Sequence, residues 1–217
     1  MRRWTVLLVL ISGCGSGPPS TTIEIPRHLR EVTRVVPAVP DRHPYGDVTK
    51  TKAGQWVRYR EGGRVFTIAA VGREGDDAWI EVIEEGEIRQ ASARLVAPDG
   101  QVKKAFYAEL AADGLSKTVA QSLEQAPPRP SKGLQGTRET GEEKLRIGDR
   151  DLVARRIRVR SEDLEGRLSE EVTLWHPDVP PLYAGTADGG LVGRRPGVQL
   201  EAFGADAKPL VALPPGR

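Results

Sequence analysis

The sequence predicts a mainly β domain: a curved antiparallel sheet or half-barrel with one short helix, with an α+β domain as the alternative. Several stretches alternate apolar and charged residues with the period of two that is typical of half-buried strands. Glycine, proline and aspartate separate these stretches as turn signals. Only residues 115–125 space apolar side chains four apart, as a helix does, and prolines follow directly.

Composition divides the 217 residues into three parts. Residues 1–13 are expected to be a signal peptide, residues 14–47 a proline- and glycine-rich tether, and residues 48–213 a single β-rich domain. Prolines recur too often in the tether for a long helix or a central strand. Its valine-rich residues 32–39 have an alternative role, as a short strand or edge contact of the domain.

Within the domain, residues 64–71 and 78–83 predict a hairpin. The six residues 72–77 would form its loop, with glycine and aspartate at the turn, and Val71 would lie opposite Ala78. The other strands are expected at residues 54–60, 87–97, 101–110 (a short helix being the alternative there), 140–147, 151–160, 167–175 and 198–203.

Arginines occupy alternate positions of residues 156–160, which predicts a basic face on one strand. In the register that pairs Arg160 with Arg167, Glu171 of the next strand lies opposite Arg156. The arginine row is therefore interpreted as a solvated face that is neutralised in part by neighbouring acids.

Aromatic residues flank a rigid proline corner in residues 175–183. One hypothesis makes Trp175, His176 and Tyr183 a ligand-contacting lip, with the two aromatic rings as apolar walls. The alternative is a packed corner where the last strands leave the sheet. No acid or nucleophile accompanies His176 in a recognisable pattern, so no catalytic residue is assigned.

Motifs of several enzyme classes are missing from the sequence. It has no Gly-x-Ser-x-Gly elbow, no phosphate-binding Gly-x-x-x-x-Gly-Lys loop and no dinucleotide fingerprint. The histidines at 28 and 43 stand alone, and the single cysteine excludes a cysteine zinc site. The sequence therefore predicts no enzyme activity, no metal and no cofactor, the alternative being an enzyme whose site is assembled from scattered residues.

Charge argues against a nucleic-acid partner. The chain has 32 basic and 30 acidic residues, so removal of Arg2 and Arg3 with a signal peptide leaves 30 of each. A neutral mature chain lacks the basic footprint that nucleic acid requires.

The N-terminus has the layout of an export signal. Met1-Arg2-Arg3 is basic, residues 4–11 are largely apolar, and Ser12-Gly13 precedes Cys14. The apolar run is too short for a helix that spans a bilayer, which takes about 20 residues.

Leu10-Ile11-Ser12-Gly13-Cys14 resembles the lipobox of bacterial lipoproteins. The resemblance implies that Cys14 becomes the first mature residue, carrying a thioether-linked diacylglycerol and usually a third acyl chain. Two chains already give stable anchoring. In that family an aspartate after the cysteine favours the inner membrane, and here the residue is Gly15, which favours the outer membrane. The alternatives are cleavage after Cys14 or no processing.

Residues 54–204 combine a tryptophan-led first strand, paired strands with an intervening helix, and Trp175 followed by Val179-Pro180-Pro181 and a closing strand that ends at residues 200–204. In this layout they are similar to uncharacterised envelope lipoproteins and to periplasmic lipoprotein-carrier half-barrels, in which a curved sheet and a helix enclose an apolar cavity. The chain departs from the carriers because they are not themselves anchored. The function expected from the sequence is a membrane-anchored, non-catalytic binding or assembly module of the cell envelope, whose partner is an envelope protein or a lipid. The alternative is a carrier or receptor for a lipid-like ligand in a half-barrel cavity.

Overall fold

The computed structural model describes residues 38–44, 46–86, 89–111, 114–115, 118–125, 135–162, 166–185 and 189–211. These residues form fourteen strands and one short 3-10 turn at Val48–Lys50. The strands are β1 (Val39–Pro40), β2 (Trp56–Glu61), β3 (Arg64–Glu74), β4 (Asp77–Glu85), β5 (Arg89–Val96), β6 (Val102–Ala111), β7 (Gly114–Leu115), β8 (Val119–Ala120), β9 (Leu123–Glu124), β10 (Gln135–Ile147), β11 (Arg150–Glu162), β12 (Leu168–His176), β13 (Gly190–Arg195) and β14 (Val198–Gly204).

One curved, unclosed antiparallel sheet contains most of the strands, which confirms the predicted fold class. Its order is β10-β11-β12-β13-β14-β2-β3-β4-β5-β6-β7, and β8 also pairs with β6. The last strand of the chain, β14, lies beside β2, so the two halves of the sequence join side by side. The order places β10 at one end of the sheet.

Each face of the sheet carries a separate hydrophobic core. The inner face carries the main core, in which strands of both halves meet, for example Tyr59 of β2 and Leu152 of β11. The outer face of β4 and β5 carries a smaller core around Trp79 and Ala93, and Val211 near the C-terminus packs into it. Alternation along β4 sends Ile80 to the inner face and its neighbours to the outer one, as a pleated strand requires.

The β3–β4 hairpin forms as expected, but its predicted register was wrong. The turn is only two residues, Gly75 and Asp76, and Glu74 pairs with Asp77. A bulge between Ala70 and Gly72 then shifts the ladder, so that Ala70 lies opposite Ile80. Gly75 has φ +63°, a conformation that glycine adopts without strain.

The helix expected at residues 115–125 does not form in the described part of that range. Val119–Ala120 pairs with β6 as β8, and Leu123–Glu124 pairs in parallel with β1 as β9. The unpaired edge of β6 offers backbone hydrogen bonds that a short helix followed by prolines cannot match. Among the described residues, no helix is long and apolar enough to cross a membrane.

The register of β11 and β12 also differs from the prediction. Arg160 lies opposite Glu170 instead of Arg167, and Arg156 lies opposite Leu174 instead of Glu171. The slip is three residues. The actual register places the apolar residues of β12 beside the inner core and keeps an acid beside Arg160.

Residues 38–44 and 46–47 lie in the range expected to be tether, and in the structure part of this range contacts the domain. Val39 is buried with Val102 and Ala105, and its strand pairs with β9. Arg42 also forms an isolated antiparallel β-bridge with Gln101 through the backbone. The lipobox, and the rest of the expected tether up to residue 37, lie outside the described residues.

Candidate functional site

The aromatic corner is held by the core and by a turn. Trp175 is buried in the inner core, and the ring of Tyr183 lies 4.9 Å from Tyr59 and 5.6 Å from Phe66 between centroids. The Nδ1 atom of His176 accepts a hydrogen bond from the Asp178 amide at 3.2 Å. The corner thus brings Trp175 and Tyr183 to one core as packed side chains, with His176 at the end of β12.

The segment between Trp175 and Tyr183 is also packed into the core. Val179 and Leu182 are fully buried. The hydroxyl of Tyr59 donates a 2.7 Å hydrogen bond to the Leu191 carbonyl, which ties β2 to β13 under the corner. Cys14, the predicted lipidation site, lies outside the described residues.

A buried carboxylate on the outer face is a feature that the sequence analysis missed. Glu81 is 1% exposed, in the middle of β4 between Ala69 of β3 and Ala93 of β5. Its carboxylate accepts hydrogen bonds from the amides of Leu210, at 3.0 and 3.1 Å, and Val211, at 2.8 Å. Burial raises the pKa of Glu81, while these amides act in the opposite direction.

Glu81 anchors the C-terminal segment, which we define as residues 205–211. The same segment is fixed at its other end, where Trp56 donates its indole N–H to Asp206 at 2.7 Å and Ala207 donates to the Gly54 carbonyl at 2.9 Å. A groove of about 430 Å³ runs between this segment and the sheet. Its lining is Trp56, Arg58, Thr67, Ala69, Glu81, Ile83, Asp206, Ala207, Lys208 and Leu210. A single acid within an apolar strand sequence is the signal that could have indicated Glu81.

The arginine row of β11 is neutralised by acids of two neighbouring strands. Arg158 lies 3.6 Å from Glu139 of β10 and 3.4 Å from Glu170 of β12. Arg160 donates a 2.8 Å hydrogen bond to Glu170, and this contact holds the pKa of the Glu170 carboxyl below its usual range. Arg158 and Arg160 are therefore paired with neighbouring acids, whereas the predicted pair of Arg156 with Glu171 does not form.

β10 forms an exposed edge of the sheet. Its thirteen residues pair with β11 along their whole length, from Gln135 opposite Glu162 to Ile147 opposite Arg150. On its other side, no strand of the described residues pairs with it. We call residues 136–142 the open edge. Unpaired N–H and C=O groups along such an edge are a ready template for another strand.

The open edge leads into a cavity of about 310 Å³. Near its C-terminal end β10 approaches β14, and an ion pair between Glu143 of β10 and Arg195 of β13 crosses the gap. The cavity is lined by Leu145, Arg146, Ile147, Leu174, Val192, Gly193, Arg194, Arg195, Gly197, Val198 and Gln199. We call it the arginine cavity, because three of these residues, Arg146, Arg194 and Arg195, are arginines.

In the part of the chain that the structure describes, no group of three or more histidine, cysteine or acidic side chains is arranged to hold a metal ion. Comparison with protein-family models, with curated protein sequences and with solved structures found no match. The function must therefore be inferred from the residues and the geometry of this chain.

Proposed function

We propose that this protein is a membrane-anchored lipoprotein of the cell envelope that works without catalysis, as a binding module for a partner protein. The open edge of β10 carries the proposal. A partner segment in extended conformation adds to this edge as a further strand, with main-chain hydrogen bonds as the source of affinity.

The open edge differs from the other surfaces of the sheet because, in the part of the chain that the structure describes, no strand pairs with its outer backbone groups. The smaller core on the outer face is covered by the C-terminal segment, and the arginine row is paired with acids. A long edge strand is usually protected by charged side chains, prolines, bulges or covering loops, and of these devices β10 has, among the described residues, only the charges. β10 contains no proline and pairs with β11 without a bulge. Its charged residues remain compatible with a partner strand of complementary charge.

The lipobox-like residues 10–14 support the proposed membrane location of this module. Acylation of Cys14 would hold the domain at the membrane, and Gly15 favours the outer one. Labelling of cells with a fatty-acid analogue tests this part of the proposal. We expect label on the wild-type protein and none on Cys14→Ser, whereas label that survives the substitution contradicts the anchor.

Site-specific photo-cross-linking in intact cells tests the binding surface. A photoreactive amino acid at Thr140, an exposed position of the open edge, is expected to capture one partner protein, identified by mass spectrometry. The matched control is the same amino acid at Glu74, which is exposed but lies at the end of the interior strand β3. The absence of an adduct at Thr140, or equal capture of the same protein at Glu74, contradicts strand addition.

A second candidate is a carrier or receptor for a lipid-like ligand. The inner face is filled by buried side chains such as Tyr59, Ile80 and Leu200, so the groove beside the C-terminal segment is the observation that favours it. A brominated fatty acid bound there would quench the fluorescence of Trp56. If the brominated fatty acid quenches the tryptophan fluorescence of Trp56→Phe as strongly as that of the wild type, the ligand does not bind in this groove.

A further inference from the structure

We propose that the arginine cavity binds the C-terminal carboxylate of the partner segment. The inference rests on the proposed strand addition and deepens it, because it specifies which end of a partner is bound and in which direction the segment runs. Three features of the cavity support it: its position, its unused donors and the apolar residues in its lining.

The position of the cavity fixes where an added strand ends. A segment paired with residues 136–142 proceeds along β10 towards Glu143. There β10 faces the β13–β14 hairpin, and the ion pair of Glu143 with Arg195 spans the two elements. The segment cannot continue as a strand past this point, so its last residue arrives at the cavity.

The three guanidinium groups have donors that no described residue uses. Arg146 donates from Nε to the Gly148 carbonyl at 3.4 Å, and Arg195 donates to Glu143. Arg194 has a buried Nε atom without a hydrogen bond, 3.7 Å from Glu171. Since each guanidinium has five N–H donors, the cavity is rich in groups that fit a carboxylate.

Charge also selects the direction of the bound segment. The cavity lining contains three arginines and no acid, and the two acids that contact these arginines, Glu143 and Glu171, lie outside the lining. A terminal ammonium group would be repelled, whereas a terminal carboxylate is attracted. The C-terminus lies at this end only if the segment runs parallel to β10.

The cavity lining also includes apolar residues, namely Leu145, Ile147, Leu174, Val192 and Val198. The cavity of about 310 Å³ has room for a carboxylate and one side chain of moderate size. The inferred ligand is therefore an extended protein C-terminus that ends in an apolar residue.

Peptide mixtures provide the test. The purified full chain in detergent is immobilised and exposed to two mixtures of N-acetylated random heptapeptides, identical except that one has free and the other amidated C-termini. We expect at least tenfold greater retention of the free mixture, and enrichment of apolar last residues among the peptides retained. Arg146→Gln and Arg194→Gln should each reduce the preference at least threefold. Arg89→Gln should leave it unchanged, because Arg89 is an exposed residue of β5, four strands along the sheet from β14.

Arg146 is exposed and has no acidic partner among the described contacts, so its substitution is not expected to impair folding. Thermal unfolding of each variant verifies that expectation. Equal retention of the free and amidated mixtures overturns the carboxylate site, but strand addition stands if Thr140 still captures a partner in cells. A carboxylate preference that persists unchanged in both arginine variants also overturns the site. Failure of the Thr140 cross-link overturns the proposed function itself.

Discussion

Glu81 shows how one residue can connect two distant parts of a chain. An isolated carboxylate in an apolar strand is costly to bury unless hydrogen bonds compensate for the loss of water. The amides of Leu210 and Val211 provide them, and hydrogen bonds to a charged acceptor are stronger than those between neutral groups. The same contacts satisfy backbone donors that would otherwise be buried without partners.

The raised pKa of Glu81 makes stability depend on pH. Because the folded protein holds a proton on this carboxyl more tightly than the unfolded chain, Glu81 opposes folding at neutral pH, and this effect fades as pH falls towards the ordinary pKa of 4.5. We therefore expect the free energy of unfolding of the wild type, relative to Glu81→Gln, to rise as pH falls from 7 to 4.5. Urea denaturation of both proteins across this range measures it.

Glu170→Gln is the matched control for this pH series. The hydrogen bond from Arg160 lowers the pKa of Glu170, so its contribution to stability is present above 4.5 and is lost only as pH falls further. The two variants should thus deviate from the wild type in opposite directions with pH. A difference between wild type and Glu81→Gln that is constant with pH contradicts the role assigned to Glu81.

At the scale of elements, the β3–β4 hairpin depends on its turn. Gly75 adopts φ +63°, and a Cβ atom placed there would have no non-neighbouring atom within 4 Å, so backbone strain is the main cost of a substitution. We expect Gly75→Val to lower the free energy of unfolding by about 1–2 kcal/mol. Urea denaturation measures the change.

Gly63, in the neighbouring β2–β3 turn, provides the comparison for Gly75. It has equally open surroundings but no positive φ, so Gly63→Val should have a smaller effect. Equal losses at the two positions would show that the left-handed backbone at Gly75 is not what limits the hairpin.

Across the whole molecule, the C-terminal segment completes the outer face. Val211 is 2% exposed and packs into the core around Trp79, more than a hundred residues earlier in the chain. We expect Val211→Ala to lower the free energy of unfolding by about 1–3 kcal/mol, since it removes buried methyl groups and leaves a cavity. Leu210→Ala is the control, because Leu210 is 38% exposed and should cost less. A similar loss at both positions contradicts the docked segment.

The sequence predicted the strands well because alternation is a local signal. The strand expected at residues 54–60 is β2, and the strand expected at residues 198–203 is β14. The helix prediction at 115–125 was wrong because the spacing of three apolar residues says nothing about the free edge of β6. Two of the predicted registers were wrong, since bulges and turn lengths are decided by packing on both faces.

Some candidate sites could be predicted from local sequence, and others depend on the tertiary structure. The lipobox could be identified from consecutive residues, and it stays a prediction, as do the anchor and the envelope location. The open edge of β10 and the arginine cavity could not, because they depend on which strand ends the sheet and on how close β10 comes to β14. The burial of Glu81 likewise needed the position of residues 210–211.

By itself, the sequence determined a β-rich domain with most of its strands and several of its turns, since these follow from local alternation and from glycine, proline and aspartate. The tertiary structure alone decided the register, the partners of each charge and the location of the exposed edge. Contacts between residues far apart in the chain set these features, and no local pattern encodes them.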